Sequence, residues 1–338
     1  MISGYQHWRL LRVLRRICLI TVLVALSACA TQHAGTGMPA QDQLRNLSRA
    51  EQLSKEAALR YQEYDYERAR SLYQEVLDIL EQSLGPTHIT VAIAANDLAE
   101  VRRANGQFAD AEQLYQRALD ILDTFPLEDP KALAIVLSNL GLLYIDIGDY
   151  SRAEASLLRA QALQRGSLES DNYDVLNNLA LLYKTLGRYS EALALYTQAL
   201  DLLDGTTPRP NRSIARTLGN LATLQFELGS YTDAKALFRQ ALALQEETLG
   251  VTHPGLAIPL NNLASLYLQL GEYDQAETLY RRALSLYEQD IAAQAPLKAT
   301  GLLSNLASLQ AHLGDYANAE ALLQRVLVIQ RSHLSPQH

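Results

Sequence analysis

The chain has 338 residues, 20% of them charged, and acid exceeds base to leave a formal net charge of −8. That balance disfavours nucleic acid, whose recognition asks for a basic stripe. With only two cysteines the chain is no disulfide scaffold, so its stability has to come from packing.

The first element is a short apolar segment. Arg9, Arg12, Arg15 and Arg16 form a basic head, and Ile17 to Leu26 is an uncharged apolar run. This is the layout of a secretory signal, and the run is too short to span a bilayer. It ends in Leu26-Ser27-Ala28-Cys29, followed by Ala30. These residues resemble the bacterial lipobox. The resemblance implies a signal peptide over residues 1–28, cut before Cys29, whose thiol then carries a diacylglyceryl group. Ala30, rather than an aspartate, implies the outer membrane, facing the periplasm. The alternative for Cys29 is an incidental cysteine ending an uncleaved anchor. Cleavage would also remove Cys18, leaving no disulfide to form. It takes away four arginines and no acid, so 25 basic residues would face 37 acidic ones at a net charge of −12. Such a body is repelled by anionic lipid, which leaves the acyl chains as the membrane contact.

Residues 29–43 are expected to be the lipidated cysteine and a flexible tether, since Thr31 to Gln43 is rich in Gly, Thr and Gln. At about 3.3–3.6 Å per residue it reaches some 40 Å when stretched. From residue 44 to 332 one pattern recurs, and 333–338 is a tail. The clearest copy is NNLASLYLQLGEYDQAETLYRRAL, Asn261 to Leu284. A turn glycine falls at Gly106, Gly148, Gly187, Gly229, Gly271 and Gly314, with Tyr64 in its place in the first copy. A fixed period of about 40 residues signals a solenoid. In each copy the apolar spacing predicts two helices separated by that residue: Leu260, Leu263, Ala264, Tyr267 and Leu270 share one face of the first, and Ala276, Leu279, Tyr280 and Ala283 one face of the second. Gly271 predicts a left-handed helix end, which is cheap only without a Cβ. An aromatic two residues on (Tyr273 in this copy) is expected to fill the wedge between the helices. Ala69, Ala111, Ala153, Ala192, Ala234, Ala276 and Ala319 form a column with no exception, as a close helix crossing would require.

Small residues at Ala264, Ala276 and Ala283, with Leu263, Tyr267 and Tyr280 between them, resemble the tetratricopeptide repeat. The long period, with LGPTH at Leu84–His88 and LGVTHP at Leu249–Pro254, resembles the longer variant of kinesin light chains. The resemblance implies an all-α, right-handed superhelical solenoid of antiparallel helix pairs, about seven repeats, that binds other proteins and is not an enzyme. Glu56 and Arg60 replace apolar residues in the first copy, as suits an end repeat meeting water.

No Walker loop, nucleophile elbow or Rossmann fingerprint occurs, and no cofactor is expected. The carboxylates read as solvated helix exteriors. None of His33, His88, His253, His312, His333 and His338 stands three or four residues from another His or Cys, so no metal site is expected. His88 and His253 sit in matching turns and are expected to cap the next helix.

Nine residues before each turn glycine stand Asp97, Asn139, Asn178, Asn220, Asn262 and Asn305. Asparagine is a poor interior helix former, so its recurrence in one column needs a reason. In the family resembled, this place faces a concave groove and the amide grips the backbone of an extended peptide. The alternative is that these amides bond to a neighbouring helix and steady the array; both can hold. Replacing Asn178, Asn220 and Asn262 by Ala separates the two, by lost binding or by a collapsed melting temperature. Lys184 and Arg216 are the basic residues near the column, against Asp146, Asp174 and Glu227, so a neutral or basic peptide is the expected ligand. Two further functions stay open: a structural subunit that self-associates through its C-terminal helices, and a cytoplasmic cargo adaptor if the N-terminal signal is coincidental.

Overall fold

The computed structural model describes residues 39–62, 65–124, 130–164, 173–206, 209–291 and 296–333. The expected signal, Cys29, nearly all of the tether, His33, Tyr64 and the tail beyond His333 lie outside the described residues. Among the described residues there are fourteen α-helices and no strand. No helix among them is long and apolar enough to cross a membrane.

The chain forms two compact units that divide between Arg188 and Tyr189. The N-terminal unit holds α1 (Ala40–Gln62), α2 (Tyr66–Leu84), α3 (Ile89–Ala104), α4 (Phe108–Thr124), α5 (Pro130–Asp146), α6 (Tyr150–Gln164) and α7 (Tyr173–Thr185). The C-terminal unit holds α8 (Tyr189–Asp204), α9 (Asn211–Glu227), α10 (Tyr231–Leu249), α11 (Ala257–Gln269), α12 (Tyr273–Ile291), α13 (Pro296–His312) and α14 (Tyr316–His333). Odd-numbered helices are the first of each sequence copy and even-numbered ones the second. Within each unit the strongest packing joins the two helices of one copy, and each second helix then packs on the first helix of the next.

The six turn glycines all have positive φ, between 72° and 82°. Around Gly271 the Gly271 N–H donates to the Leu268 carbonyl at 3.1 Å and the Glu272 N–H to the Tyr267 carbonyl at 2.9 Å. This double closure satisfies carbonyls that the helix end would otherwise orphan. The connections between copies carry a second device. His88 Nδ1 accepts from the Thr90 N–H at 3.2 Å and His253 Nδ1 from the Gly255 N–H at 3.0 Å, so both histidines cap the following helix as expected. Arg117 and Arg282 brace the same two turns from the next second helix, each paired at 2.6 Å with Glu81 or Glu246.

The alanine column is buried throughout, at 0% exposure in the first six copies and 6% at Ala319. The aromatics after the glycines behave differently. Tyr66 meets Tyr61 edge-on at 5.3 Å and Phe226 meets Tyr231 at 5.7 Å, but Tyr316 is 72% exposed and fills no wedge. Its ring sits on a face of α14 that no described helix covers. The array also starts earlier than the composition suggests. α1 begins at Ala40, with Asp42 favourable in its first turn and Gln43 Nε2 donating to the Ser83 carbonyl at 2.7 Å.

Gly141, in mid-α5, stands where every other copy has a buried alanine. A Cβ there would lie 2.6 Å from Leu157 Cγ, and Leu157 is fully buried. In an open helix Gly→Ala gains about 1 kcal/mol. Gly141→Ala is instead expected to destabilise by about 1–3 kcal/mol through overpacking, read as a lower urea midpoint at unchanged slope.

Candidate functional site

The first helices of successive copies touch one another within each unit, α3 to α5 to α7 and α9 to α11 to α13. This side-by-side set presents the Asp/Asn column, because a residue recurring once per repeat returns to the same face of each first helix. The two units treat that column differently.

In the N-terminal unit the amides are spent on structure. Asn139 is 1% exposed and its Nδ2 donates to Asn96 Oδ1 at 2.8 Å. Asn178 is 5% exposed and donates to Ser138 Oγ at 2.8 Å. Each therefore bonds to the preceding copy, at the position just before the column. Asp97, half-buried, accepts from Asn96 Nδ2 at 3.2 Å. The expectation that Asn178 belongs with Asn220 and Asn262 in one functional set needs revision, since its amide bridges α5 and α7. Asn178→Ala leaves a buried Ser138 hydroxyl without its donor, and is expected to lower stability by about 1–3 kcal/mol in chemical denaturation.

In the C-terminal unit Asn220, Asn262 and Asn305 are all half-buried, against the fully buried Asn139 and Asn178. Asn305 Nδ2 donates to Asn261 Oδ1 at 2.9 Å, the same bridge as in the other unit. Asn262 finds no such partner because the corresponding residue of the preceding copy is Gly219, where a Cβ would meet nothing within 4 Å. Its contact is a marginal 3.5 Å to the adjacent Asn261. Asn220 has no hydrogen-bond partner among the described residues. Ser265 and Thr223 stand nearby on these helices, their hydroxyls turned back to their own backbone at 2.9 Å. This half-buried face is thus built of small polar side chains, with two amides that have no strong partner among the described residues.

One carboxylate overturns the reading of all acids as solvated. Glu100 on α3 is buried, its side chain 3% exposed against 2% for Arg103, with 3.3 Å between them. The Tyr115 hydroxyl of α4 donates to the same Glu100 oxygen. Arg103 also reaches Asp146 of α5 at 2.5 Å. Burial, then the Glu100 carboxylate, push the Tyr115 phenol well above its ordinary range. Burial opposes the charge on Arg103, but Glu100, Tyr115 and Asp146 hold it protonated. A signal was present in the third copy, where Leu142 and Ile145 occupy the equivalent places: of all the copies, only the second puts an acid and a base there together.

Paired side chains also line the ends of the first helices. Arg152 lies 4.3 Å over the Tyr144 ring and pairs with Glu112 at 2.7 Å; Arg188 lies 3.8 Å over Tyr183 and pairs with Glu154 at 2.9 Å. In the C-terminal unit the signs reverse: Lys235 sits 4.7 Å over Tyr267 and pairs with Glu272 at 2.8 Å. Reversal between copies favours the native neighbour over a slipped one. No group of three or more metal-ligating side chains occurs among the described residues.

Family models described as tetratricopeptide repeat match residues 45–124, 132–204 and 213–289, and a second such model matches 261–336. Among curated proteins, Tetratricopeptide repeat protein 19, mitochondrial, of Rattus norvegicus is 31% identical over 107 residues, 32% of this chain. The match spans only 28% of the rat protein's length. Among solved structures, BtubC (BKLC) from P. vanneervenii superposes with a TM-score of 0.57 at 22% identity, over 68% of this chain and 95% of that one. Aspartyl phosphate phosphatase F from Bacillus subtilis gives 0.61 at 14% identity, over 86% and 72%. At such identities the likeness is one of fold.

Proposed function

The chain belongs to the tetratricopeptide repeat family, and on that premise we propose that it is a lipid-tethered adaptor of the bacterial envelope that holds an extended partner polypeptide against its first helices. The family fold is a scaffold suited to protein–protein interaction. The half-buried amides of Asn220 and Asn262, without strong partners among the described residues, carry the peptide reading. An amide both donates and accepts, and so matches a peptide unit whatever its side chains. Asn305 completes the column, while on the other unit Asn139 and Asn178 fix helix spacing and Asp97 accepts from its neighbour Asn96. The ligand best matched is a neutral or basic segment, because the protein is acidic overall. The tether reading rests on the lipobox resemblance of Leu26 to Cys29, and Ala30 supports an outer-membrane position facing the periplasm.

Two experiments test the halves separately. A photoreactive residue at Ser265 should capture a partner in cells, and one at the exposed Gln116 on α4 should not. Asn220→Ala with Asn262→Ala should reduce that capture at least tenfold at unchanged melting temperature. Gly219→Asn should reduce it too while raising stability, by engaging Asn262 as Asn96 engages Asn139. Capture indifferent to all three changes would overturn the peptide reading. For the tether, metabolic labelling with a fatty acid should mark the wild type and not Cys29→Ala; a wild type that takes up no label would remove the envelope placement.

A further inference from the structure

We propose that α14 is a homodimer interface, in which two copies of the chain pair their last helices antiparallel about a two-fold axis. The starting point is a change in burial within one structural column. Tyr280 and Leu284 of α12 are covered, Tyr280 at 0% exposure with its hydroxyl against Ser265 of α11 and Leu284 packed against Ala299 and Leu303 of α13. Phe238 and Leu242 of α10 occupy the same two places and are 4% and 8% exposed. In α14 these places hold Leu323 and Leu327, at 47% and 48%. Tyr316, 72% exposed, extends the same stripe toward the helix N-terminus. Large apolar residues are thus kept where they gain only by being covered.

The charges beside the stripe identify the cover as a second α14. At 100° per residue Glu320 and Arg331 fall on one side of the Leu323–Leu327 line, and both are exposed. Glu320 lies three residues before Leu323 and Arg331 four after Leu327. A two-fold axis across the helix, centred between the leucines, sets Leu323 against Leu327 of the other copy. The same operation keeps each flank on its own side, so Glu320 meets Arg331 of the other copy, twice over. An isologous interface requires this self-complementarity. Glu320 is held by no protein cation among the described residues; Gln324 donates to it at 3.0 Å. The inference is independent of the peptide-binding face, which lies on the first helices.

Sedimentation of the full chain in a non-ionic detergent tests it. The wild type should be dimeric at micromolar concentration. Leu323→Glu with Leu327→Glu should give monomers of unchanged helicity. Glu320→Arg or Arg331→Glu alone should weaken the dimer about tenfold, as two attractions become two repulsions, and the two together should restore it. A monomeric wild type, a dimer that survives the leucine changes, or charge reversals that fail to compensate would each overturn the proposal.

Discussion

Glu100→Leu is expected to cost about 3–5 kcal/mol, the largest loss available from one side chain of this protein. The change leaves Arg103 charged, with its side chain 2% exposed and its compensation reduced to Asp146 on the opposite helix. It also strips the Tyr115 hydroxyl of its acceptor. The expense lies in the unpaired charge and not in the pair's net worth, because two ions withdrawn from water recover little when they meet. A compensated replacement should therefore recover most of the loss. The third copy supplies its composition, with Leu142, Ile145 and Leu157 at the places of Glu100, Arg103 and Tyr115. Glu100→Leu, Arg103→Ile and Tyr115→Phe together should bring the urea midpoint back near that of the wild type. If the triple variant is as unstable as the single one, burial of an uncompensated charge is not the cause.

Tyr280→Ala should come next, at about 3–5 kcal/mol, and Tyr280→Phe should cost under about 1.5. The ring is fully buried in a continuous core that runs through α9, α10, α11, α12 and α13, so truncation opens a cavity that those helices close only partly. The hydroxyl meets Ser265 Oγ at 2.9 Å, and Ser265 keeps its bond to the Asn261 carbonyl when that contact is lost. Phe238 already fills the same place one copy earlier with no hydroxyl at all. Because neighbouring repeats stabilise each other through such contacts, the damage should spread along the C-terminal unit. Hydrogen exchange after Tyr280→Ala should show protection falling first between residues 211 and 312 and persisting between 66 and 164. A uniform loss would mean that the whole array unfolds as one cooperative body.

These two sites differ in how far they could be read in advance. Tyr280 stands in an apolar helical stripe, and its burial follows from period and composition alone. Glu100 follows the same period, and the contrast with Leu142 and Ile145 hints at its pairing with Arg103, but nothing in the sequence says that the Tyr115 hydroxyl of the next helix donates to it. The asparagines divide in the same way. Their recurrence was legible, but each amide's fate depends on what the preceding copy places beside it: Asn96 for Asn139, Ser138 for Asn178, Asn261 for Asn305, and for Asn262 a glycine with no side chain to offer.

What the sequence determined by itself is whatever rests on local conformation and on strict repetition. The left-handed glycines end first helices because only they adopt that backbone without strain, and the alanine column is buried because only a methyl fits the crossing. The histidine caps belong here too, since each bonds to an N–H two residues away. What tertiary structure alone decided is the state of every side chain whose partner lies about forty residues off. The bond from Arg103 to Asp146 and the different fates of the amides depend on which face of the neighbouring helix arrives. Burial and hydrogen bonding act over a few ångströms of space, and within one repeat the chain carries no record of what its neighbour brings into that space.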